Sequence, residues 1–294
     1  MGLPLIRTPW FTPGQWGVQG SDNTLGLRMR PQSVVWFVDQ NDPGANNNND
    51  GTHPAAPLLT IATAILRAVA GRGDVIMVMP GTYVEDLVVA KNNLSIIGAI
   101  DGIPPIINPT GVTTALTVTA DGFYMENIAI DGLTVGTPAI ITGDDVKLVS
   151  CGFGASVGDG LTVTGLAPTV NILGCVFQGN ATAGLRLANT VLGVHPDRVV
   201  VEGCQFIANT VNSIADTDNA AGGDTFGTIL IHSNRLIETG AAYVYINLTD
   251  PAAAGVGLIS DNWFADADVI AAQIVRPAGV FSVGNHDEAV DAIP

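Results

Sequence analysis

Charged side chains are scarce in this chain, and positively charged ones are the scarcest. Only 13% of its 294 residues are Asp, Glu, Lys or Arg, about half the share of an ordinary globular protein. Lys and Arg number 11 against 27 Asp and Glu, which gives a formal net charge of −16. A protein that binds the phosphate backbone needs a basic surface. The composition therefore excludes general nucleic-acid binding.

Membrane spans and export signals are also missing from the sequence. No stretch of about 18 apolar residues is free of Gly, Pro and charge, so we expect no membrane-spanning helix. Met1–Arg7 lacks the basic segment and apolar segment of a secretory signal. We therefore expect synthesis in the host cytoplasm without a signal peptide.

Apolar residues and turn-forming residues are abundant instead. Hydrophobic residues make up 47% of the chain, and 35 Gly and 17 Pro punctuate it. That combination favours a large core built from many short strands, which is an all-β protein.

A repeated motif predicts how the strands are arranged. The pattern apolar-x-apolar-x-x-Cys-x-Phe occurs at 146–153, 170–177 and 199–206. It recurs with Asn in place of Cys at 257–264 and, with Leu236 also in place of Phe, at 229–236. Gly98 and Asn127 fit the pattern loosely, and Asn285 is the weakest match. Successive repeats lie 23 to 30 residues apart, as in a solenoid with one coil per repeat. Leucine-rich repeats have a similar period but need a Leu-rich consensus, so a parallel β-helix is predicted.

Stacked coils place equivalent residues in ladders. The predicted structural ladder contains Asn127, Cys151, Cys175, Cys204, Asn234 and Asn262. Its cysteines are expected to be buried and reduced, because they lack the clustered C-x-x-C spacing of a metal site. A second ladder facing the core is predicted two residues later, at Phe153, Phe177, Phe206, Leu236 and Phe264.

One segment has helical spacing instead. Apolar residues recur every three or four positions over about 57–71, namely Leu58, Ile61, Ala62, Ile65, Leu66 and Val69. The segment ends at Gly71, a residue type that commonly terminates helices. We predict a helix that caps the open apolar end of the solenoid.

The segments on either side of this helix carry a resemblance to a known family. Residues 49–57 read Asn-Asp-Gly-Thr-His-Pro-Ala-Ala-Pro, and residues 73–83 read Gly-Asp-Val-Ile-Met-Val-Met-Pro-Gly-Thr-Tyr. They resemble the loop and first coil of pectin-lyase-like proteins, over about residues 36–100. The resemblance implies a right-handed parallel β-helix of about eight coils with an N-terminal helical cap. It implies little about activity, because the family includes lyases, hydrolases, epimerases and non-catalytic virion spikes.

Candidate catalytic residues are few. Glycosidases of this fold carry an Asp pair, an Asn-Thr-Asp triplet and a Gly-His-Gly, of which only Asp144–Asp145 is present. The lyases use calcium-binding carboxylates with a basic residue, a pattern that Arg186, Arg198, Arg235 and Arg276 do not match. The histidines have no partner in a recognisable motif and are expected at the surface, at His53, His195, His232 and His286. We predict no catalytic site.

Two groups of acidic residues are candidate ligand sites. Asp216, Asp218 and Asp224 in a Gly-rich loop form a weak Ca²⁺ candidate, for which a hydrated loop without metal is the favoured interpretation. A sugar-binding strip around Trp263 would use Asp261, Asp266 and Asp268. We predict no bound metal and no cofactor.

Residues 1–35 differ from the rest and are predicted to form an extended arm before a body at 36–294. The arm is rich in Pro and holds two of the four tryptophans. Its predicted partner-binding residues are Arg7, Trp10, Phe11, Trp16, Arg28 and Arg30. An exposed aromatic arm suits docking on another protein, and packing on its own β-helix is the alternative.

The predicted function is a non-catalytic structural protein on the outer surface of a phage or virus-like particle, as a capsid decoration or spike subunit. Its expected partners are capsid or other virion proteins bound through the arm, further copies of itself (a trimer is one candidate) and a surface glycan. No nucleic acid or membrane partner is expected. The alternatives are a polysaccharide lyase or hydrolase of the pectin-lyase-like type and a glycan-binding adhesin.

Overall fold

The computed structural model describes residues 32–99, 103–111, 114–132, 136–164, 169–188, 197–216, 227–237, 243–248, 256–264, 274–276 and 279–287. Strand β1 (Val35–Val38) and helix α1 (Ile61–Arg67) precede the coils. The first four coils contain β2 (Val75–Val78), β3 (Thr82–Val84) and β4 (Leu87–Val89); β5 (Ser95–Gly98), β6 (Ile106–Asn108) and β7 (Leu116–Val118); β8 (Tyr124–Glu126), β9 (Ala129–Asp131) and β10 (Ala139–Ile141); and β11 (Val146–Val149), β12 (Gly152–Gly154) and β13 (Leu161–Thr164).

The later coils repeat this order of three strands. They contain β14 (Thr169–Leu173), β15 (Val176–Gln178) and β16 (Ala183–Ala188); β17 (Arg198–Glu202), β18 (Gln205–Ile207) and β19 (Asn212–Asp216); β20 (Thr228–His232), β21 (Arg235–Ile237) and β22 (Val244–Asn247); β23 (Val256–Ser260), β24 (Trp263–Phe264) and β25 (Ile274–Val275); and finally β26 (Val280–Val283) and β27 (His286–Asp287).

The strands form three parallel sheets that run the length of the solenoid. Sheet A holds β1 and the first strand of each coil, ten strands in all; sheet B holds the nine second strands and sheet C the eight third strands. Parallel crossovers of this kind are right-handed. The described residues therefore form a right-handed parallel β-helix with eight complete coils, which confirms the predicted fold.

The interior of the coils is apolar because alternate residues of each strand point inward. The phenyl rings of Phe153, Phe177 and Phe206 stack on successive coils, with centroids 5.3 and 4.7 Å apart. Leu236 and Phe264 continue this buried row in register. Burial of each such ring contributes about 2–3 kcal/mol, so the row is a main source of stability.

The helix is shorter than the sequence predicts. Ile61 and Ile65 are buried against the first strands, but Leu66 and Val69, predicted on the same face, are exposed. Leu58 is buried before the helix begins, where it pairs with Val38. The prediction of one apolar stripe over 57–71 is therefore wrong at both ends, because the segment has only two helical turns.

Glu85, from the turn between β3 and β4, fixes the start of this helix. Its carboxylate accepts hydrogen bonds from the backbone N–H groups of Ile61 and Ala62, at 2.9 and 2.8 Å. Burial raises the pKa of Glu85, against the effect of these two donors. The cap is thus tied to the first coil by a side chain of that coil.

Asp74 joins the entry of the chain to the same coil. The side chain is fully buried and accepts from the backbone N–H of Val34 at 3.0 Å and of Val69 at 2.9 Å. The Trp36 indole donates to it at 3.3 Å, and the Arg72 guanidinium donates two hydrogen bonds of 2.6 Å. Burial opposes ionisation, but Arg72 and the other donors outweigh it and lower the pKa of Asp74 below its usual value.

Candidate functional site

The predicted ladder lies at the corner between sheets A and B. Strand register places Cys151, Cys175, Cys204, Asn234 and Asn262 on successive coils, each fully or almost fully buried. Asn285, the weakest match in the sequence, follows in the same register and is also buried. Side chains at this position point into the corner, where they satisfy backbone groups that the bend leaves without sheet partners.

The asparagines of this ladder bond from coil to coil. The Asn262 Oδ1 accepts from the backbone N and the Nδ2 of Asn234, both at 2.9 Å. The Asn262 Nδ2 donates to the Ile231 carbonyl at 3.0 Å and to the Asn285 Oδ1 at 2.9 Å. One amide therefore closes four hydrogen bonds with adjacent coils.

The cysteines occupy the same position with weaker hydrogen bonds. All three are free and buried. The Cys175 backbone N–H donates to the Cys204 Sγ at 3.4 Å, and the Cys204 thiol contacts the Ile172 carbonyl at 3.4 Å. Hydrogen bonds with Cys151 and Cys204, together with burial, raise the pKa of the Cys175 thiol. These contacts describe packed structural thiols rather than reactive ones.

Asn127 does not belong to this ladder, and that part of the prediction is wrong. Register aligns Asn127 with Ser150, so Ile128 is the residue equivalent to Cys151. Asn127 has a φ of 53°, in the left-handed region that Asn tolerates well, and its Nδ2 donates to the carbonyls of Gly98 and Ala99 at 3.2 Å. Both adjacent positions of the corner suit Asn, so the residue type alone does not distinguish them.

The other two corners carry side-chain ladders that were not predicted from the sequence. Between sheets B and C, the Asn180 Nδ2 donates to the Asn209 Oδ1 at 2.8 Å, and the Ser156 backbone N–H donates to the Asn180 Oδ1 at 3.4 Å. Between sheets C and A, the Asn92 Oδ1 accepts from the backbone N–H of Asp121 at 3.1 Å. The ladder between sheets B and C has a sequence pattern, because each of its residues follows a core Phe by three positions. These residues are Ser156, Asn180 and Asn209.

Asp144 belongs to this third ladder. Its backbone N–H donates to the Asp121 Oδ1 at 3.0 Å, and its own Oδ1 accepts from the backbone N–H of Asp145 at 2.6 Å. Asp145 has a φ of 52° at the same turn. The candidate acid–base pair therefore lies at a corner of the coil, where one Asp144 carboxylate oxygen accepts from the backbone N–H of Asp145.

The four arginines are separated by the fold. Arg186 on sheet C binds Asp159 through Nε at 2.5 Å and Nη2 at 2.8 Å. Arg198 is exposed on sheet A, and Arg235 is exposed on sheet B. Arg276 donates to the Val280 carbonyl. The structure does not bring them together into one basic site.

His232 was predicted to have no partner in a recognisable motif. In the structure it has two neighbouring partners on the outer face of sheet A. Its Nδ1 lies 2.9 Å from the Ser233 Oγ, and its Nε2 lies 3.4 Å from a Glu202 carboxylate oxygen. Such a trio has the order of a nucleophile, a base and an orienting acid. However, the backbone N–H groups of Ser233 and Asn234 already donate to the Ser260 carbonyl and the Asn262 Oδ1. They are therefore not available to stabilise an oxyanion, and Ser233 lies on an exposed turn.

The aromatic and acidic candidates near the C-terminus fall at different places. Trp263 is 46% exposed on the outer face of sheet B, in register with Arg235 on one side and His286 on the other. Asp261 lies at the A–B corner with a φ of 55°. Asp266 and Asp268 lie outside the described residues. The described neighbours of Trp263 along its row are thus basic side chains rather than the predicted carboxylates.

The calcium candidate is only partly within the described residues. Asp216 ends β19, is buried and pairs in register with Leu187 of the preceding coil, whereas Asp218 and Asp224 lie outside the described residues. Within the described ranges, no three His, Cys, Asp or Glu side chains are grouped so that they could hold a metal ion. His53 lies in an exposed loop, and the predicted arm residues and His195 lie outside the described part.

Comparisons with known proteins agree with the fold. No family model matches the chain, and no curated protein matches it. A solved structure of a pectin methylesterase mutant in complex with a hexasaccharide is similar over 88% of this chain and 90% of that chain, with a TM-score of 0.55 and 13% identity. A pectate lyase covers 92% of this chain and 83% of its own at a TM-score of 0.49 and 16% identity.

A protein of Geobacillus virus E2 covers 87% of this chain and 60% of its own, with a TM-score of 0.43 and 12% identity. At such identities the likeness to the methylesterase establishes a shared pectin-lyase-like β-helix fold and leaves the activity open. In the described residues, no helix is long and apolar enough to cross a membrane.

Proposed function

We propose that this chain is a non-catalytic structural protein of a phage or virus-like particle, a capsid decoration or spike subunit anchored through its N-terminal arm. One observation carries the proposal: the buried side chains of Asp74, Asp159 and the corner asparagines bind groups of the chain itself. Asp74 fixes the chain entry, Asp159 binds Arg186, and the corner ladders bond coil to coil. A carboxylate whose lone pairs are occupied by its own chain is poorly placed for acid–base catalysis on a polymer.

A turnover assay separates this proposal from a polysaccharide lyase or hydrolase. We expect no product from pectate or alginate, with or without added Ca²⁺, although ordinary enzymes turn over about 1–10³ times per second. The matched variant carries Asp144→Ala and Asp145→Ala. Polymer cleavage that this double variant abolishes would establish the enzymatic alternative and refute the proposal.

A truncation tests the anchoring role. Deletion of residues 1–32 removes Trp10 and Trp16 but leaves the Val34–Asp74 hydrogen bond, strand β1, the capping helix and all eight complete coils. We expect β-type circular dichroism and a melting temperature within a few degrees of the full chain. Co-sedimentation with capsids assembled from the same genome should fall sharply, because buried Trp side chains dominate many interfaces. Equal co-sedimentation of the truncated and full chains would contradict anchoring through the arm.

A further inference from the structure

The outer face of sheet A becomes apolar towards its C-terminal end. Register places Val200, Leu230, Leu258 and Phe281 in one row along the solenoid axis, here termed the central row. Phe281 is 68% exposed, Leu230 and Leu258 are partly exposed, and Val200 is buried at the start of the row. Val256 and Val283, which flank the row on either side, are 68% and 54% exposed. A contiguous apolar patch of this kind on an otherwise acidic protein marks a protein–protein contact.

Opposite charges border the central row at one coil. Arg198 and Glu202 lie two residues before and two residues after Val200 on β17, and both are exposed. Because alternate residues of a strand point to the same face, the cation lies on one side of the row and the anion on the other. Among the other described residues of this face, Lys147 lies in line with the central row two coils before Val200, beyond the polar Asn171, so a contact that extends from Val200 to Phe281 leaves it outside. Glu126 lies three coils before Glu202 in the same row, and His232 lies beside Glu202.

We propose that this face packs against the same face of a second copy of the chain, with the two β-helices pointing in the same direction. The charge pattern selects this arrangement. A two-fold axis along the central row exchanges the two sides of the row and keeps every coil at its own level. Arg198 of each copy then faces Glu202 of the other copy.

The antiparallel arrangement has the opposite electrostatics. Consider a two-fold axis that lies in the interface, runs along the strands and crosses the row at the level of β17. It places each side of the row opposite the same side of the other copy, so Arg198 faces Arg198. Like charges across an interface disfavour it, whereas complementary charges fix its register. The apolar row supplies the contact area in either case, and the charges determine the direction.

Sedimentation velocity on the full chain tests whether the second copy binds. We expect a species with the mass of two chains that Phe281→Asp weakens by at least about 100-fold, because a charge replaces the most exposed apolar side chain of the central row. Val88→Asp is the matched control, since Val88 is an exposed residue on the outer face of sheet C. A monomer at all accessible concentrations, or an assembly that Phe281→Asp leaves intact, would overturn the proposal. Circular dichroism verifies that each variant is folded.

Charge exchange tests the direction of packing. Arg198→Glu should weaken the dimer about tenfold, and adding Glu202→Arg to it should restore the affinity, because the exchanged pair is again complementary. The antiparallel arrangement predicts no such restoration. Failure of the double variant to recover the affinity would therefore refute the parallel alignment.

Cross-linking gives an independent readout of the same alignment. Packed sheets lie about 10 Å apart, a distance that a short bis-maleimide spans. On a parallel axis, Leu230→Cys and Phe281→Cys each meet their own counterpart, so both single variants should cross-link to dimers. In an antiparallel dimer at most one of these two positions can do so. The native cysteines give little background, because all three are buried. Cross-linking at only one position would overturn the proposal.

Discussion

Replacement of Asn262 gives the sharpest test of how the coils are held together. Its side-chain amide makes four hydrogen bonds to adjacent coils, and the residue is fully buried. At about 1 kcal/mol for each hydrogen bond, Asn262→Leu should lower the free energy of unfolding by about 4 kcal/mol. This is a large part of the stability of a typical protein, which is about 5–15 kcal/mol.

Asn262→Cys is the informative companion variant, because the chain itself uses Cys at this position three coils in a row. A thiol can accept from the Asn234 backbone N–H, as the Cys204 Sγ accepts from Cys175 at 3.4 Å, and can donate to a carbonyl. We therefore expect a loss of about 2 kcal/mol, roughly half of that for leucine. Gln205→Leu, an exposed change on sheet B, should stay within about 0.5 kcal/mol.

Urea unfolding followed by far-ultraviolet circular dichroism measures these differences. Hydrogen exchange supplies a local readout, because the Asn234 backbone amide loses its acceptor and should exchange faster in the leucine variant. A leucine variant within about 1 kcal/mol of the unmodified protein would refute the reasoning. So would a cysteine variant as unstable as the leucine one.

Two further predictions concern Asp74 and the thiols. Because the pKa of Asp74 is lowered in the folded state, its stabilisation is present above the usual Asp pKa of about 3.9 and is lost as the pH falls through the folded value. The melting temperature of the unmodified protein should therefore fall more steeply below about pH 4 than that of Asp74→Asn. The variant should be less stable at pH 7. Parallel profiles of melting temperature against pH would contradict this prediction. The native protein should react slowly with a thiol reagent, because Cys151, Cys175 and Cys204 are buried. In denaturant all three thiols should react. Rapid labelling of Cys175 in the native state would contradict its place in the ladder.

The sequence alone was sufficient for the fold and for most of one ladder. Stacking coils repeat the same environment at fixed intervals, so the requirement for a small or amide side chain at the A–B corner recurs visibly at Cys151, Cys175, Cys204, Asn234 and Asn262. The apolar periodicity also located the cap, because a helix buries one face. It did not define the ends of that helix, since Leu66 and Val69 have apolar side chains but lie outside the packed turns.

Register within a corner could not be obtained from residue type. Asn127 occupies a left-handed position, and Asn234 occupies the inward position one residue later in its own coil. Both environments favour Asn, one for its backbone conformation and the other for its amide. Only the strand pairing, which aligns Asn127 with Ser150, separates the two.

Only the tertiary structure shows which residues lie together on the surface of the molecule. Asp144 reads as one half of a carboxylate pair in the sequence, but Asp121 of the preceding coil, 23 residues earlier, binds its backbone. Leu230, Leu258 and Phe281 belong to three separate coils, and nothing in the local sequence of any of them indicates a shared patch. Burial in the core repeats along the chain and can be read from it, whereas an outer row is assembled across coils and exists only once their register is set.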